Sequence, residues 1–320
     1  MKKIAVLTSG GDSPGMNAAV RAVTRCGIEE GLEVYGVERG YEGLIEGDIK
    51  AMTRRDVGDI LQRGGTFLKT ARCPEFETEE GVEKAMLKLE AFEIEGLVCI
   101  GGDGTFRGAN ELSQRGIKIM ALPGTIDNDL GYTDFTIGFD TAVTTVLEAI
   151  GKVRDTSSSH ERNTVIEVMG RHCGDIALYA GITGGAEAVL LPEKGYDINE
   201  LCKKILISAN DGKLHSIIIK SEGAKMDSRE LVSEIQKITG RETKLVVLSY
   251  LQRGGTPTMR DRLLATSCGA KAAKLLAEDS ESKAIGILNG EIIAYDLEEG
   301  IKVKRDFNRE MFDLIEVLSK

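Results

Sequence analysis

Short apolar runs alternate with amphipathic stretches along almost the whole chain, and this alternation limits the possible folds more than any other property of the sequence. The runs at 4–8, 32–37, 97–100, 117–122, 164–168, 188–191, 216–219, 245–248 and 284–288 have strand length and are apolar nearly throughout. A strand with one wet face alternates apolar and polar residues, whereas one that is apolar on both faces must be covered on both. The covering elements are read as helices at 16–30, 79–92, 107–115, 140–155, 198–209, 228–239 and 261–278. Alternation of this kind predicts an α/β fold of the doubly wound, mainly parallel class. A chain of 320 residues suffices for two lobes or for one large domain.

Composition narrows the function. A net charge of −10 argues against a general binder of nucleic acid or anionic membrane, and 8 Phe and 7 Tyr with no Trp leave few faces for stacking bases. No apolar stretch approaches the roughly 18 residues of a membrane span. Met1-Lys2-Lys3 runs straight into Ile4-Ala5-Val6-Leu7, too short for a signal-peptide core. The six cysteines (Cys26, Cys73, Cys99, Cys173, Cys202 and Cys268) form no Cys-x-x-Cys pair and read as small core residues in a reducing compartment. The expected location is the cytoplasm.

Glycine, at 38 residues, is the compositional outlier, and many glycines stand in pairs just after apolar runs. Ser9-Gly10-Gly11-Asp12-Ser13-Pro14-Gly15 lies between a strand and a helix start, where free N–H groups and the helix dipole suit a phosphate. It matches neither the phosphate-loop nor the dinucleotide fingerprint, and a tight turn with no ligand explains it equally well. Gly101-Gly102-Asp103-Gly104-Thr105 repeats the device. Asp103 there suits Mg²⁺ beside bound phosphates, or simply caps the following helix. Pro123-Gly124-Thr125-Ile126-Asp127-Asn128-Asp129 brings two carboxylates to a strand end, where ligands of open α/β sheets gather. A polar turn accounts for one aspartate; a general base for a substrate hydroxyl is the competing role for Asp127. Glycine cradle, metal ligand and base together suggest phosphoryl transfer.

Arg72, Arg162, Arg171 and Arg253 lie near predicted strand ends, where guanidinium groups can grip phosphate oxygens. Any one alone is explained by a surface ion pair. His160, His172 and His215 have no metal-ligand spacing. Gln-Arg-Gly-Gly-Thr occurs at 62–66 and again at 252–256 with unmatched flanks, read as two independent turns.

Segments 9–17, 101–105, 123–129, 134–140, 159–162, 167–175 and 252–262, in this order, resemble the bacterial ATP-dependent 6-phosphofructokinases. Gly-Gly-Asp-Gly alone is less specific, being shared with NAD kinases and lipid kinases. The resemblance implies two discontinuous domains: 1–138 with 251–305 for the nucleotide, and 139–250 with 306–320 for the sugar phosphate. It implies transfer from ATP to the 1-hydroxyl of fructose 6-phosphate, giving fructose 1,6-bisphosphate and ADP in a committed step of glycolysis. Gly11, Arg72, Cys73, Gly102, Asp103, Gly104 and Thr105 would contact ATP, with Asp103 serving Mg²⁺. Asp127 would be the base, and Thr125, Arg72 and Arg171 would stabilise the transferring group. Thr125, Ile126, Asp127, Met169, Gly170, Arg171 and Glu222 would hold the sugar. Its 6-phosphate would meet Tyr250, Leu251, Gln252 and Arg253, with Arg162 and Lys244 reaching in from a neighbouring subunit of a homotetramer. Nucleoside diphosphate as activator, or phosphoenolpyruvate as inhibitor, would bind through Arg21, Arg25, Arg54, Asp59, Arg154, Gly185, Ala186, Glu187, Asp211, Lys213 and His215.

Three positions depart from the family pattern. Lys244 stands where arginine is usual, Tyr250 where histidine is usual, and Asp211 where a basic effector ligand is common. The first two bear on sugar-phosphate affinity and the third on allosteric control. A pyrophosphate-dependent relative would carry larger charged groups at Gly104 and Gly124, filling the space an α-phosphate needs. A non-catalytic sensor of nucleotide or phosphoenolpyruvate would lack Asp103 or Asp127, and an oxidoreductase would show the dinucleotide fingerprint.

Overall fold

The structure is a computed structural model in which residues 1–319 are described; Lys320, the last residue of the second domain expected above, lies outside the described residues. In chain order the elements are β1 (Lys3–Thr8), α1 (Met16–Glu29), β2 (Glu33–Val37), α2 (Gly40–Glu46), β3 (Ile49–Ala51), α3 (Glu79–Ala91), β4 (Gly96–Gly101), α4 (Asp103–Gln114), β5 (Lys118–Pro123) and α5 (Phe139–Ser159). There follow β6 (Asn163–Val168), α6 (Asp175–Thr183), β7 (Ala188–Leu190), α7 (Ile198–Asn210), β8 (Ile217–Ser221), α8 (Ser228–Thr239) and β9 (Thr243–Val247). The chain ends with α9 (Met259–Ala277), β10 (Lys283–Leu288), β11 (Glu291–Asp296), α10 (Leu297–Lys302) and α11 (Arg309–Leu318).

Two compact units result: Met1–Thr141 with Arg253–Arg305, and Ala142–Gln252 with Asp306–Lys320. The divisions fall at 141/142 and 252/253 rather than the expected 138/139 and 250/251. The first shift has a local cause, because the buried Asp261 carboxylate on α9 accepts the N–H groups of Gly138 and Thr141, both at 2.8 Å. That pair of bonds ties the first turn of α5 to the first unit.

The first unit carries a seven-stranded sheet in the order β11-β10-β5-β4-β1-β2-β3. Pairing is parallel except at the two edges, where β3 and β11 run antiparallel to their neighbours. Central strands β1, β4 and β5 are buried almost throughout, and their side chains alternate between two separate cores. Ile4, Val6, Val98, Ile100, Met120 and Leu122 pack with Met16 and Val20 of α1 and Cys268 and Leu276 of α9. Ala5, Leu7, Leu97, Cys99, Ile119 and Ala121 pack on the other face with Leu89, Phe106 and Leu112. Each fully buried large apolar side chain contributes about 1.5–3 kcal/mol. The second unit holds a parallel sheet in the order β7-β8-β6-β9.

Several elements escaped the sequence reading for identifiable reasons. Glycines punctuate α2, and Tyr41 anchors it by stacking on Phe76 with ring centroids 4.0 Å apart. α6 is apolar nearly all round, so no helical face stood out. β11 closes a hairpin through Asn289 and Gly290, both at positive φ (53° and 83°), the geometry that an Asn-Gly pair signals. α4 starts at Asp103 instead of 107. The two Gln-Arg-Gly-Gly-Thr segments are not independent turns: a β-carbon on Gly64 would lie 3.1–3.2 Å from the Gly255 backbone carbon and nitrogen, so the first repeat packs directly on the second.

Four cysteines are buried and two half-buried, and among the described residues all six are free thiols. No described helix is long and apolar enough to cross a membrane.

Burial pushes the Asp261 carboxyl up to about 6 from its ordinary value of 3.8, against hydrogen bonds from Thr141 and Gly138 that lower it. The folded protein therefore holds this proton more tightly than the unfolded chain. Stability from this group is present below about pH 4 and is lost as pH rises to about 6, on the order of 3 kcal/mol. Denaturation of the native protein and Asp261→Asn at pH 4 to 7 should show the native protein losing ground to the variant as pH rises. A relative gain instead would mean that the ionised carboxylate stabilises the fold.

Candidate active site

In the first sheet the connections after β1 and after β3 leave in opposite directions, so β1 and β4 flank a switch point where ligands of such sheets bind. Loops after β1, β4 and β5 meet there around a cavity of about 1010 Å³. Its wall includes Gly10, Gly11, Arg72, Cys73, Gly102, Asp103, Gly104, Thr105, Thr125, Asp127, Asp129 and Arg253. Tyr41, Phe76 and Val82 add an apolar side that no sequence signal had marked.

The loops are stitched before any ligand arrives. The Thr105 hydroxyl donates to the Ser9 carbonyl at 3.2 Å, and the Tyr41 hydroxyl donates to the Thr105 carbonyl at 2.6 Å. The Thr70 hydroxyl donates to the Gly10 carbonyl at 2.7 Å, drawing the Arg72 segment alongside. Unlike α3, α7, α8 and α9, helix α4 has no side-chain cap. Its first N–H groups and the positive end of its dipole are therefore left without a side-chain cap at the cavity, an arrangement suited to an anion. Helix α1 does not do the same: Ser13 and Met16 are wholly buried, and the cavity takes only Ser9, Gly10 and Gly11 from the first glycine turn. The expected helix-end cradle at 9–15 is thus confined to its first three residues.

Behind β5, Asn128 makes the turn. Wholly buried and at φ 54°, its amide accepts the Thr136 N–H at 3.0 Å and donates to the Asp134 carbonyl at 3.3 Å. The Thr136 hydroxyl donates to the Thr125 carbonyl at 2.6 Å, and Thr125 Oγ1 accepts the Asp127 N–H at 3.2 Å. The loop is fixed from inside, which leaves Asp127 and Asp129 on the cavity wall. Ile126, just before Asp127, is buried, so it can meet a ligand only through its backbone.

Asp103 sits in the first turn of α4 and forms an ion pair with Arg107 one turn on. Arg72 is exposed on the cavity wall. Cys73 is half-buried, and burial pushes its thiol above the ordinary value, so it stays protonated at neutral pH. Arg253, expected at the sugar phosphate, lies on this same wall and donates to the Asp12 carbonyl at 3.0 Å. A β-carbon on Gly11 would come within 2.6 Å of its guanidinium, so a larger residue there would displace the Arg253 side chain.

In the second unit the expected sugar ligands cluster at the carboxyl ends of β6 and β8. The Glu222 N–H donates to Val168 at 2.8 Å and the Gly223 N–H to Gly170 at 3.2 Å, while Arg171 and Glu222 stay exposed. Gln252 is wholly buried, with its side-chain oxygen accepting the Met169 N–H at 3.2 Å, so it shapes this end of the unit from within. Tyr250 and Leu251 are largely exposed. Lys244 pairs with Glu242 at 2.6 Å, and Arg162 donates to Thr156 at 3.3 Å.

The expected effector residues fall into two groups. Arg21, Arg25, Arg54 and Asp59 line a cavity of about 530 Å³ in the first unit, joined by Arg55. In the second unit Arg154 donates to the Gly184 and Gly185 carbonyls at 2.6 and 2.8 Å and approaches Glu187 at 3.9 Å, and Lys213 pairs with Glu187. Ala186 is buried, His215 half-buried, and Asp211 closes α7.

Comparison with known proteins accords with this geometry. Residues 3–276 match the model of the phosphofructokinase family. The chain is 56% identical over its full 320 residues, and over all of the relative, to the ATP-dependent 6-phosphofructokinase of Clostridium botulinum strain Loch Maree (type A3). The corresponding figure for the ATP-dependent 6-phosphofructokinase of Clostridium acetobutylicum, again over all of both chains, is 57%. Phosphofructokinase from Saccharomyces cerevisiae superposes with a TM-score of 0.90 at 36% identity, over 98% of this chain and 50% of that one. A pyrophosphate-dependent phosphofructokinase from Marinobacter aquaeolei superposes at 0.87 with 20% identity, over 98% and 91%, a likeness of fold alone. From its first strand to the end of α9, and with its glycine cradle and Asp127 loop on one cavity, this chain belongs to the phosphofructokinase family.

Proposed function

We propose that this chain transfers the γ-phosphoryl group of ATP to the 1-hydroxyl of fructose 6-phosphate, a glycolytic reaction carried out in the cytoplasm. One observation carries the reading: the uncapped start of α4 and the Asp127 carboxylate share one cavity. The nucleotide phosphates lie against Gly11 and the backbone of Gly102, Gly104 and Thr105, where N–H groups and the helix dipole offset their charge. Asp127 accepts the proton of the sugar hydroxyl as that oxygen attacks phosphorus. Arg72, Arg171 and Thr125 hold the charge spread over the transferring oxygens. Met169, Gly170, Arg171 and Glu222 bind the sugar, with Tyr250, Arg253, Arg162 and Lys244 assigned to its 6-phosphate.

Among the described residues no three acidic, histidine or cysteine side chains form a ready cage for a metal. Mg²⁺ keeps most of its waters and needs one or two carboxylates beside phosphate oxygens. Asp103 is the first candidate, with Asp129 on the same wall. When bound, Mg²⁺ neutralises the phosphate oxygens and helps align them.

Space decides between ATP and pyrophosphate. A β-carbon on Gly104 would touch nothing within 4 Å, so this glycine opens onto the cavity and leaves room for a longer polyphosphate. At Gly124 the added atom would meet Ile100 and Met16 at 2.9 Å, so a larger side chain there requires a different local packing. An assay for fructose 1,6-bisphosphate, run in parallel with ATP and with pyrophosphate, should give product with ATP. Turnover with pyrophosphate alone overturns the reading.

Regulation belongs to the same proposal. The arginines around the smaller cavity suit the phosphates of ADP or the charged groups of phosphoenolpyruvate, and Arg154, Lys213 and Glu187 form the second cluster, in a homotetramer. Asp211 puts a carboxylate at the carboxyl end of α7, unfavourable both to the helix dipole and to an anion. Allosteric coupling is typically about 1–3 kcal/mol, so one reversed charge can remove most of it. Phosphoenolpyruvate should therefore inhibit weakly, and Asp211→Arg should strengthen it. Sugar saturation curves with and without effector check this, and strong inhibition of the unmutated protein at low phosphoenolpyruvate is the contrary result.

A further inference from the structure

Lys220 is the one lysine among the fully buried large side chains of the described residues, at 1% exposure near the end of β8. An ammonium so placed needs several partners, because burying a charge without them is costly. Its Nζ donates to the carbonyl of Ser221 at 3.2 Å. The next peptide group is thereby held at both ends, since the N–H of Glu222, across the same peptide bond, donates to the Val168 carbonyl at 2.8 Å. Three carboxylates lie near enough to act on the ammonium. Glu167 is its in-register neighbour on β6 and accepts the Ser228 hydroxyl; Asp227 caps α8; Glu222 lies two residues on, just past the end of β8. Burial pulls the Lys220 ammonium below its ordinary value, and Glu167, Asp227 and Glu222, in that order, oppose the shift.

We propose that Lys220 is a positioning residue for sugar-phosphate binding, holding the Ser221–Glu222 peptide and drawing the Glu222 carboxylate into place. This rests on the reading of Glu222 as a sugar ligand. The rest of the strand end is built to the same purpose: the Ser221 hydroxyl and the Gly223 N–H both donate to the Gly170 carbonyl, so the Met169-Gly170-Arg171 turn and Glu222 are locked to one another. Lys220 brings a positive charge to those contacts. Without it the Ser221 carbonyl loses a partner in a dry site and three carboxylates repel each other.

The test is steady-state kinetics of Lys220→Met, Glu222→Gln and the double variant in the full-length protein. Lys220→Met should raise the fructose 6-phosphate concentration for half-saturation about tenfold, with kcat within about threefold and the KM for ATP unchanged. Because Lys220 acts through Glu222, the double variant should lose less than the product of the two single losses. Full multiplication, or an unchanged sugar response in Lys220→Met, overturns the proposal. If Glu222→Gln alone leaves the sugar response unchanged, the sugar-ligand reading fails and the proposal falls with it. Should Lys220→Met not fold, Lys220→Met/Glu167→Gln removes the cation together with its cross-strand carboxylate. An unchanged sugar response in that protein also overturns the proposal.

Discussion

Asp127→Asn is expected to lower kcat by about 10²–10⁴-fold, the usual contribution of a positioned acid–base group. Little else should change. The loop is held by Asn128, Thr136 and Thr125, none of which the substitution removes, so thermal stability and the KM for ATP should stay near their native values. Asparagine keeps the size of the side chain and can still accept a hydrogen bond, but it cannot take the proton of the attacking hydroxyl. Steady-state kinetics with melting curves check both halves of the expectation. Turnover near the native rate would remove Asp127 from the mechanism, and Asp129 on the same wall would be the next position to examine.

The second large effect is expected at Gly104. Its backbone is helical and the space beyond it is open, so Gly104→Asp creates neither strain nor overlap, and an acid in the first turn of α4 favours the helix dipole. Folding should therefore be unimpaired. The new carboxylate faces the nucleotide phosphates, however. At about 4 Å the repulsion between two unit charges is ~1 kcal/mol in water and ~4 kcal/mol near a protein surface, a loss of about 5- to 10³-fold. We expect kcat/KM for ATP to fall within that range, with sugar binding far less affected. Isothermal titration with each ligand separates the two effects. Unchanged ATP affinity would place the phosphates elsewhere in the cavity.

The apolar runs of β1, β4 and β5 were legible because strands covered on both faces need no polar alternation, and both cores confirm why. The half-wet β11 was not read, although Asn289-Gly290 carried its signature. Cavity-lining residues that follow strand ends directly, such as Gly102–Thr105 and Asp127, were legible from position alone. Tyr41 and Phe76 were not, since they reach the cavity wall from a glycine-punctuated helix and a short turn whose placement depends on stacking between the two rings. The buried partnership of Asp261 with Gly138 and Thr141 joins residues more than a hundred positions apart, and no local pattern announces it.

By itself the amino-acid sequence determined the layered α/β class, the loops that carry glycine and acid, and the chemistry those residue types permit. These follow from periodicity and from strand-end position, which are local properties of the chain. Only the tertiary structure decided which helix start meets the cavity. It buried the start of α1 and opened that of α4, although the two glycine turns look alike as sequence. It also set Gly64 against Gly255, turning an apparent coincidence of two pentapeptides into one packed contact. Around Lys220 it gathered three carboxylates from two strand ends and a helix cap. The physical reason is the same in each case: burial and charge proximity depend on what other segments bring to the site, and that is written in no single stretch of sequence.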